Sequence, residues 1–367
     1  MKTNQDKCEI IIIGAGIVGL ALGAELSKKG RDVIILESES KTIQHASSHN
    51  SEVIHSGVYY ENNSLKALLC LEGNALLYDY CNRYGIEYRR LGKLIVANNK
   101  QELPLIEQLY NNAKRNKVKN IRILDKKELL DLEPYLIAEN ALFIESTGII
   151  DSHTYALSLE AQIENSGNHI ITSSPVTNGQ YNGNQWQIEI RGDDYYQINA
   201  DIVINASGFN SLNLAKKFGL VNLPQTTYIK GHYYKYHGKN PFNHLIYPLP
   251  EKHGLGVHTS SDMNNSLRFG PDAEVVNQLD YYFDASEERF SKFTRSIDKY
   301  FNGFDRSLLK EDFCGIRARI GKTHKSSDFS VLFEKHHGLQ GLVNIAGIES
   351  PGLTASLALA KYIVEGL

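Results

Sequence analysis

The 367-residue sequence predicts an α/β fold in which two domains interleave along the chain. Three features lead there: a β-branched run entering closely spaced glycines near the N-terminus, a second buried strand ending in Ala-Ser-Gly near residue 206, and a stretch rich in Tyr and His after residue 226 that reads as an antiparallel sheet. Alternating strand and helix patterns predict a parallel sheet, whereas the Tyr/His stretch predicts a separate antiparallel wall.

Ile10-Ile11-Ile12-Ile13 is the signature of a strand buried on both faces, and Gly14-Ala15-Gly16-Ile17-Val18-Gly19 then turns the chain into a helix running through Leu20 to Leu26, with Gly30 as its C-cap. Gly14 permits a tight turn, Gly16 lets a pyrophosphate approach bare backbone, and Gly19 lets the helix close on the strand. A strand over 32–36 follows and ends in Glu37, next to Ser38, where a carboxylate accepts hydrogen bonds from ribose hydroxyls. Three spaced glycines alone are a weak signal. Strand, glycines, helix, strand and terminal acid in that order point to an adenine dinucleotide.

The segment Ser47-Ser48-His49-Asn50-Ser51-Glu52-Val53-Ile54-His55-Ser56-Gly57-Val58-Tyr59-Tyr60 carries hydroxyl, amide and imidazole groups suited to lining a cofactor, or else a capped helix start with incidental histidines. A long amphipathic helix is expected over 64–84, a strand over 88–97, helices over 101–116 and 126–132, strands over 141–144 and 148–151, and a helix over 153–165. Short strands at 168–172, 176–181, 186–191 and 195–198 lead into Ala200-Asp201-Ile202-Val203-Ile204-Asn205-Ala206-Ser207-Gly208. That second buried strand, ending in small residues, places bare backbone beside whatever the first glycine loop holds, unless it is a plain βα turn. The antiparallel sheet is expected from 228–236, 245–249, 255–259 and 267–270. After a helix over 285–300 come strands over 330–333 and 342–345 and a terminal helix opened by Gly347-Ile348-Glu349-Ser350-Pro351-Gly352-Leu353-Thr354, whose free backbone N–H groups favour a ligand with negative charge.

Bulk properties exclude several classes. A net charge of −3, without a basic run, speaks against a nucleic-acid partner. Four dispersed cysteines (Cys8, Cys70, Cys81 and Cys314) suit a reducing, cytoplasmic setting better than disulfides or a zinc site. The isoleucine run is too short to span a bilayer, so the expectation is a soluble protein or one peripheral at the inner face of a membrane.

These residues resemble the flavoprotein family of D-amino-acid oxidase type, and within it the L-2-hydroxyglutarate dehydrogenase/oxidase group. The resemblance is carried by Gly14 to Gly19 with Glu37, His49 to Tyr60, Ser64-Leu65-Lys66-Ala67, Cys70-Leu71, Gly92 to Ala97, and Gly148-Ile149-Ile150-Asp151. It continues through Ile246 to Pro250, Leu255 to His258, Gly270-Pro271, Gly315 to Ala318 and Ser350-Pro351. It departs at Glu52, where the family usually has glycine, at Lys230, where it has arginine, and in the closing segment 347–354. The resemblance implies FAD, not NAD, in a Rossmann-like domain of glutathione-reductase type comprising 1–75, 145–225 and 325–367, with a substrate domain at 76–144 and 226–324. The expected flavin contacts are Gly14, Gly16, Ile17, Val18, Gly19, Glu37, Ser38, Ser48, His49, Asn50, Ser51, Val176, Ala206, Ser207, Gly208, Gly347, Ser350, Gly352, Leu353 and Thr354.

The implied reaction takes a small 2-hydroxy acid to its 2-keto acid, and needs a hydride acceptor, a base for the hydroxyl proton and cations for carboxylates. His258 and His55 are the base candidates, since an imidazole near pKa ~6.5 accepts a proton at neutral pH; the alternative for each is a ring satisfied by a backbone carbonyl. Arg317 is the expected carboxylate clamp, Lys230 a second point charge, and Tyr233, Tyr247 and Tyr59 possible hydrogen-bond donors. Rivals are an amino-acid or secondary-amine oxidase of glycine oxidase or sarcosine oxidase type, a glycerol-3-phosphate-dehydrogenase-like enzyme, a NAD-linked dehydrogenase and a non-catalytic flavin-binding protein. Oxygen, a quinone or a carrier protein would accept the electrons.

Overall fold

The computed structural model describes residues 7–250, 256–321 and 327–367. The chain forms two compact units. The first comprises 1–48, 152–227 and 318–367, and the second 49–151 and 228–317. Residues 49–75 and 145–151, assigned from sequence to the dinucleotide-binding domain, therefore pack with the second unit; the expected boundary at 324/325 lies outside the described residues.

The first unit is built on an eight-stranded sheet whose main path runs Val176–Tyr181, Trp186–Arg191, Tyr195–Asn205, Lys7–Ile13, Val33–Leu36 and His169–Ile171. Leu342–Ala346 adds to Tyr195–Asn205 and is itself paired with Ser330–Leu332. Ile10, Ile11 and Ile12 have no exposed surface, as expected for a strand covered on both faces. The expected strand at 195–198 and the one opening at Ala200 are a single strand, Tyr195–Asn205, which pairs antiparallel with Trp186–Arg191 through its first half and parallel with Lys7–Ile13 through its second. Asn199 and Ala200 pair on both sides, so nothing interrupts the ladder between them. Helix Ile17–Lys28 packs against Ser152–Asn165 and the terminal helix Gly352–Glu365.

The second unit contains three sheets among its described residues. Leu245–Pro248, Lys93–Ala97, Asn140–Ile144 and Ile121–Leu124 form the first, and Val53–Ile54, Gly148–Ile150 and Tyr88–Arg89 the second. The third orders His258–Ser261, Leu267–Gly270, Thr226–Tyr236 and Glu274–Val276, with Leu309–Ile320 also on Thr226–Tyr236. Helix Leu65–Tyr84 begins at the Ser64 cap, whose Oγ accepts from the Ala67 N–H, and ends at Gly85 in the left-handed region.

Three expectations need correction. Tyr88–Ala97 is not one strand: Gly92, at φ +70°, breaks it, and the two pieces join different sheets. Leu245–Pro248 is not part of the antiparallel sheet but pairs parallel with Lys93–Ala97, while the expected strand at 255–259 begins at His258 with Leu255 outside the described residues. Cys314–Arg319, to which no element was assigned from sequence, belongs to a long strand that starts at Leu309, where the charges of Lys310-Glu311-Asp312 mask the strand pattern. Among the described residues no helix is long and apolar enough to cross a membrane.

Candidate active site

In the first unit, register gathers the expected dinucleotide residues at one sheet edge. Ile13 lies beside Leu36 and Asn205, and Asn205 beside Asn344, all in parallel. Gly14, Glu37, Ala206 and Gly347 consequently leave the sheet at its carboxyl edge, where open α/β sheets take their ligands. Gly19 sits so close to the loop that an added Cβ would fall 1.9 Å from the Gly14 carbonyl oxygen, and one on Gly14 would fall 2.7 Å from that of Ala206. Only glycine fits either position.

The carboxylate of Glu37 organises this loop. It accepts the Ala15 N–H at 2.7 Å on one oxygen, and the Ser38 hydroxyl at 3.0 Å and the Glu39 N–H at 2.9 Å on the other. The Ser174 N–H donates to the Glu37 carbonyl at 2.7 Å, bringing the strand that starts at Val176 to the same edge. Ser47, not its neighbour Ser48, accepts from the Ile17 N–H at 3.0 Å and so closes the first turn of the helix. Asn205 receives the Ser207 hydroxyl at 2.6 Å and donates to Asn344 at 2.7 Å, which ties the Ala206-Ser207-Gly208 turn to the next strand. In the closing segment Arg319 donates to Glu349 at 2.9 Å in a largely buried ion pair, and the Gly352 N–H donates to the Glu349 carbonyl at 2.6 Å. Glu349, a departure from the resembled family, thus has a counter-ion that sequence reading overlooked while it singled out Arg317 two residues away.

In the second unit, His55, Tyr59, Tyr247 and His258 surround a residue given no role from sequence, Lys93. Leu245 pairs with Lys93 and Tyr247 with Ile95, so Lys93 and Tyr247 project from one face of their sheet. The Lys93 ammonium stands 4.7 Å from the centre of the Tyr59 ring and 4.8 Å from that of Tyr247. The Tyr247 ring in turn stacks on His258 at 3.9 Å. Lys93 is 1% exposed, and the hydroxyls of Tyr59 and Tyr247 are buried with no hydrogen-bond partner among the described residues.

Electrostatics follow from burial around a cation. Burial, then Lys93 and His258, pushes the partly buried His55 down to about 3. Burial likewise takes His258 down to about 3 against the opposing Gly256 carbonyl, with Lys93 and Arg317 adding to the fall. Both imidazoles are therefore neutral at pH 7, well below the unperturbed value expected from sequence. The His258 Nδ1 lies 2.8 Å from the Gly256 carbonyl, which assigns its proton to Nδ1 and leaves the Nε2 lone pair to accept another. Burial lowers Lys93 to about 8, opposed by Cys70. Tyr59 and Tyr247 are raised by burial, which keeps both as neutral hydroxyl donors.

Arg317 donates to the Asp272 carbonyl at 3.3 Å, and its charge acts on His258 and Tyr233. Tyr233 stacks on Phe313 at 4.5 Å and is hydrogen-bonded to Ser51. Lys230 is set differently: its ammonium is 3.9 Å from Asp280, so it already has a counter-ion. His232, also missed, is fully buried with Nδ1 2.9 Å from Asp272, which Arg289 holds from its other oxygen at 2.9 Å. The His49 carbonyl lies against Gly315, where an added Cβ would come within 2.4 Å of its oxygen. His49, Asn50 and Ser51, expected as flavin contacts, belong to the second unit. Cys314 is buried and its thiol is pushed up to about 11, the state of a packing residue and not of a nucleophile.

Residues 9–366 match the family described as FAD dependent oxidoreductase. The chain belongs to that family. L-2-hydroxyglutarate dehydrogenase, mitochondrial, of Dictyostelium discoideum is 37% identical over 99% of this chain and 93% of the relative, and its Arabidopsis thaliana counterpart 36% identical over 98% and 83%. An FAD-bound L-alpha-glycerophosphate oxidase from Mycoplasma pneumoniae shares the fold, with a TM-score of 0.88, 24% identity and coverage of 98% and 94%. Glycine oxidase from Geobacillus kaustophilus does so at 0.81 and 18%, covering 98% and 94%.

As a member of the family, the chain is an FAD-dependent oxidoreductase, and the first unit's sheet edge fits that cofactor. Gly16 has only the Ser47 hydroxyl near the place of an added Cβ, so the loop offers bare backbone to a pyrophosphate. The Glu37 carboxylate is fixed at the strand end where a ribose is held. The N-terminus of Gly352–Glu365 carries no side-chain cap, which leaves its positive dipole end to a ligand.

Proposed function

We propose that this FAD-dependent oxidoreductase oxidises a small 2-hydroxy acid to the 2-keto acid, with L-2-hydroxyglutarate as substrate. The observation that carries this reading is the interior of the second unit, where two neutral imidazoles, His55 and His258, lie in the field of Lys93, and His258 also in that of Arg317. A 2-hydroxy acid needs that combination: guanidinium or ammonium for carboxylate, and an uncharged base for the hydroxyl proton. FAD, when bound, supplies the acceptor for the hydride. Arg317 orients a carboxylate, the Tyr59 and Tyr247 hydroxyls donate to substrate oxygens, and His258 takes the hydroxyl proton on Nε2. Bound carboxylate offsets the nearby positive charge and raises the basicity of the imidazole as the substrate arrives. The relatives named L-2-hydroxyglutarate dehydrogenase, matched over nearly the whole chain, support the substrate.

The test is anaerobic bleaching of the flavin absorbance of the purified protein. L- and D-2-hydroxyglutarate, L-lactate, malate, glycerol 3-phosphate and amino acids should be screened side by side. Bleaching by L-2-hydroxyglutarate, with 2-oxoglutarate as product, is the expected result. Bleaching by an amino acid with release of ammonia would assign the chain to the amino-acid oxidases of the same fold. Reoxidation by oxygen, by a quinone or only by a carrier protein then identifies the electron acceptor.

A further inference from the structure

We propose that Lys93 binds the second carboxylate of the substrate and thereby selects dicarboxylic over monocarboxylic 2-hydroxy acids. The proposal rests on the 2-hydroxy-acid reading above and assigns a residue to the part of the substrate remote from the reacting carbon.

The argument begins with charge. Lys93 is 1% exposed, and no carboxylate among the described residues pairs with it. A buried ammonium without a counter-ion is costly, and two tyrosine rings at 4.7 and 4.8 Å offset only part of that cost. The chain nevertheless heads an otherwise apolar five-residue strand with this lysine. Two buried hydroxyls, on Tyr59 and Tyr247, have no hydrogen-bond partner among the described residues and belong to the rings that flank it. One cation and two hydroxyl donors are the hydrogen-bonding complement of a carboxylate.

Position supports the role. The Tyr247 ring has Lys93 4.8 Å from its centre and stacks on His258 at 3.9 Å, which sets the candidate base near that cation, and Arg317 acts on the same imidazole as a second positive charge. Lys230, the second cation expected from sequence, already faces Asp280 at 3.9 Å. Among the described residues Lys93 has no such competitor.

The experiment uses the full flavin-loaded chain and reads equilibrium binding by perturbation of the flavin spectrum, with glutarate and butyrate as non-reacting probes. Wild type should bind glutarate more tightly than butyrate. Lys93→Met should weaken glutarate by roughly 30-fold or more, the loss expected when one partner of a buried charge pair is truncated, and leave butyrate unchanged. Lys93→Arg should keep the preference. In wild type, glutarate binding should weaken as pH rises beyond about 8, where the free amine loses its proton, and this loss should be absent in Lys93→Arg. Because Lys93→Met removes an uncompensated buried charge, its melting temperature should be equal to or above that of wild type. Equal weakening of both probes, or no weakening of either, overturns the proposal. So does a Lys93→Arg protein without preference for glutarate. If no 2-hydroxy acid bleaches the flavin, the proposed reaction fails, while the glutarate and butyrate titrations still judge Lys93.

Discussion

Glu52 holds a φ of +56°, a left-handed conformation that costs an L-residue with a Cβ roughly 1–2 kcal/mol. Its N–H donates to the Asn50 side chain at 2.8 Å and its carbonyl accepts from Ile150 at 3.1 Å, so the backbone is committed to that shape. This is the position at which the resembled family carries glycine. Glu52→Gly should therefore stabilise the protein by about 1 kcal/mol, seen as a higher midpoint in urea with an unchanged slope. At the reacting centre, His258→Asn should lower kcat by about 10²–10⁴-fold, the usual contribution of a general base. A loss of that size in His55→Asn with His258→Asn near wild type would move the base to His55. Sequence named both histidines, yet it placed them near their ordinary pKa. Their low basicity comes from burial and from Lys93, a residue 38 positions from one and 165 from the other, and no local pattern reports that.

At the scale of elements, the strand–glycine–helix unit was readable because its determinants are local: four β-branched residues, glycines at fixed offsets and an acid at the end of the next strand. The close approach of Gly19 to the Gly14 carbonyl shows why the motif tolerates no side chain there. Gly19→Val should abolish stoichiometric flavin in the purified protein, measured as the ratio of absorbance at 450 nm to that at 280 nm, where Gly30→Ala near the surface should not. An added Cβ at Gly30 meets nothing within 4 Å, although its φ of +72° makes that variant mildly less stable. Strand partners were less legible than strands. Leu245–Pro248 has the composition of an antiparallel strand, but its partner Lys93–Ala97 is some 150 residues earlier, and that pairing is what sets Tyr247 beside Lys93.

For the whole molecule, two histidines whose folded pKa lies near 3 against ~6.5 in the unfolded chain tie stability to pH. Below pH 6.5 the unfolded chain binds protons that the folded one does not, so stability falls as pH drops toward 3, by at most about 1.4 kcal/mol per pH unit for each imidazole. The stability of His258→Asn should accordingly decline less steeply between pH 6.5 and 4 than that of wild type. Equal slopes would mean that His258 is protonated as readily in the folded protein as in the unfolded one. The sequence by itself determined the α/β class, the adenine-dinucleotide loop and the interleaving of two domains, because glycine spacing and hydrophobic period act over a few residues, and the flavoprotein family entered through the resemblance of segments along nearly the whole chain. Tertiary structure alone decided where the units divide, that Lys230 faces Asp280 while Lys93 meets no carboxylate among the described residues, and that two histidines stay neutral. Those properties depend on which distant groups share a low-dielectric interior, and burial and charge are summed there over the folded chain.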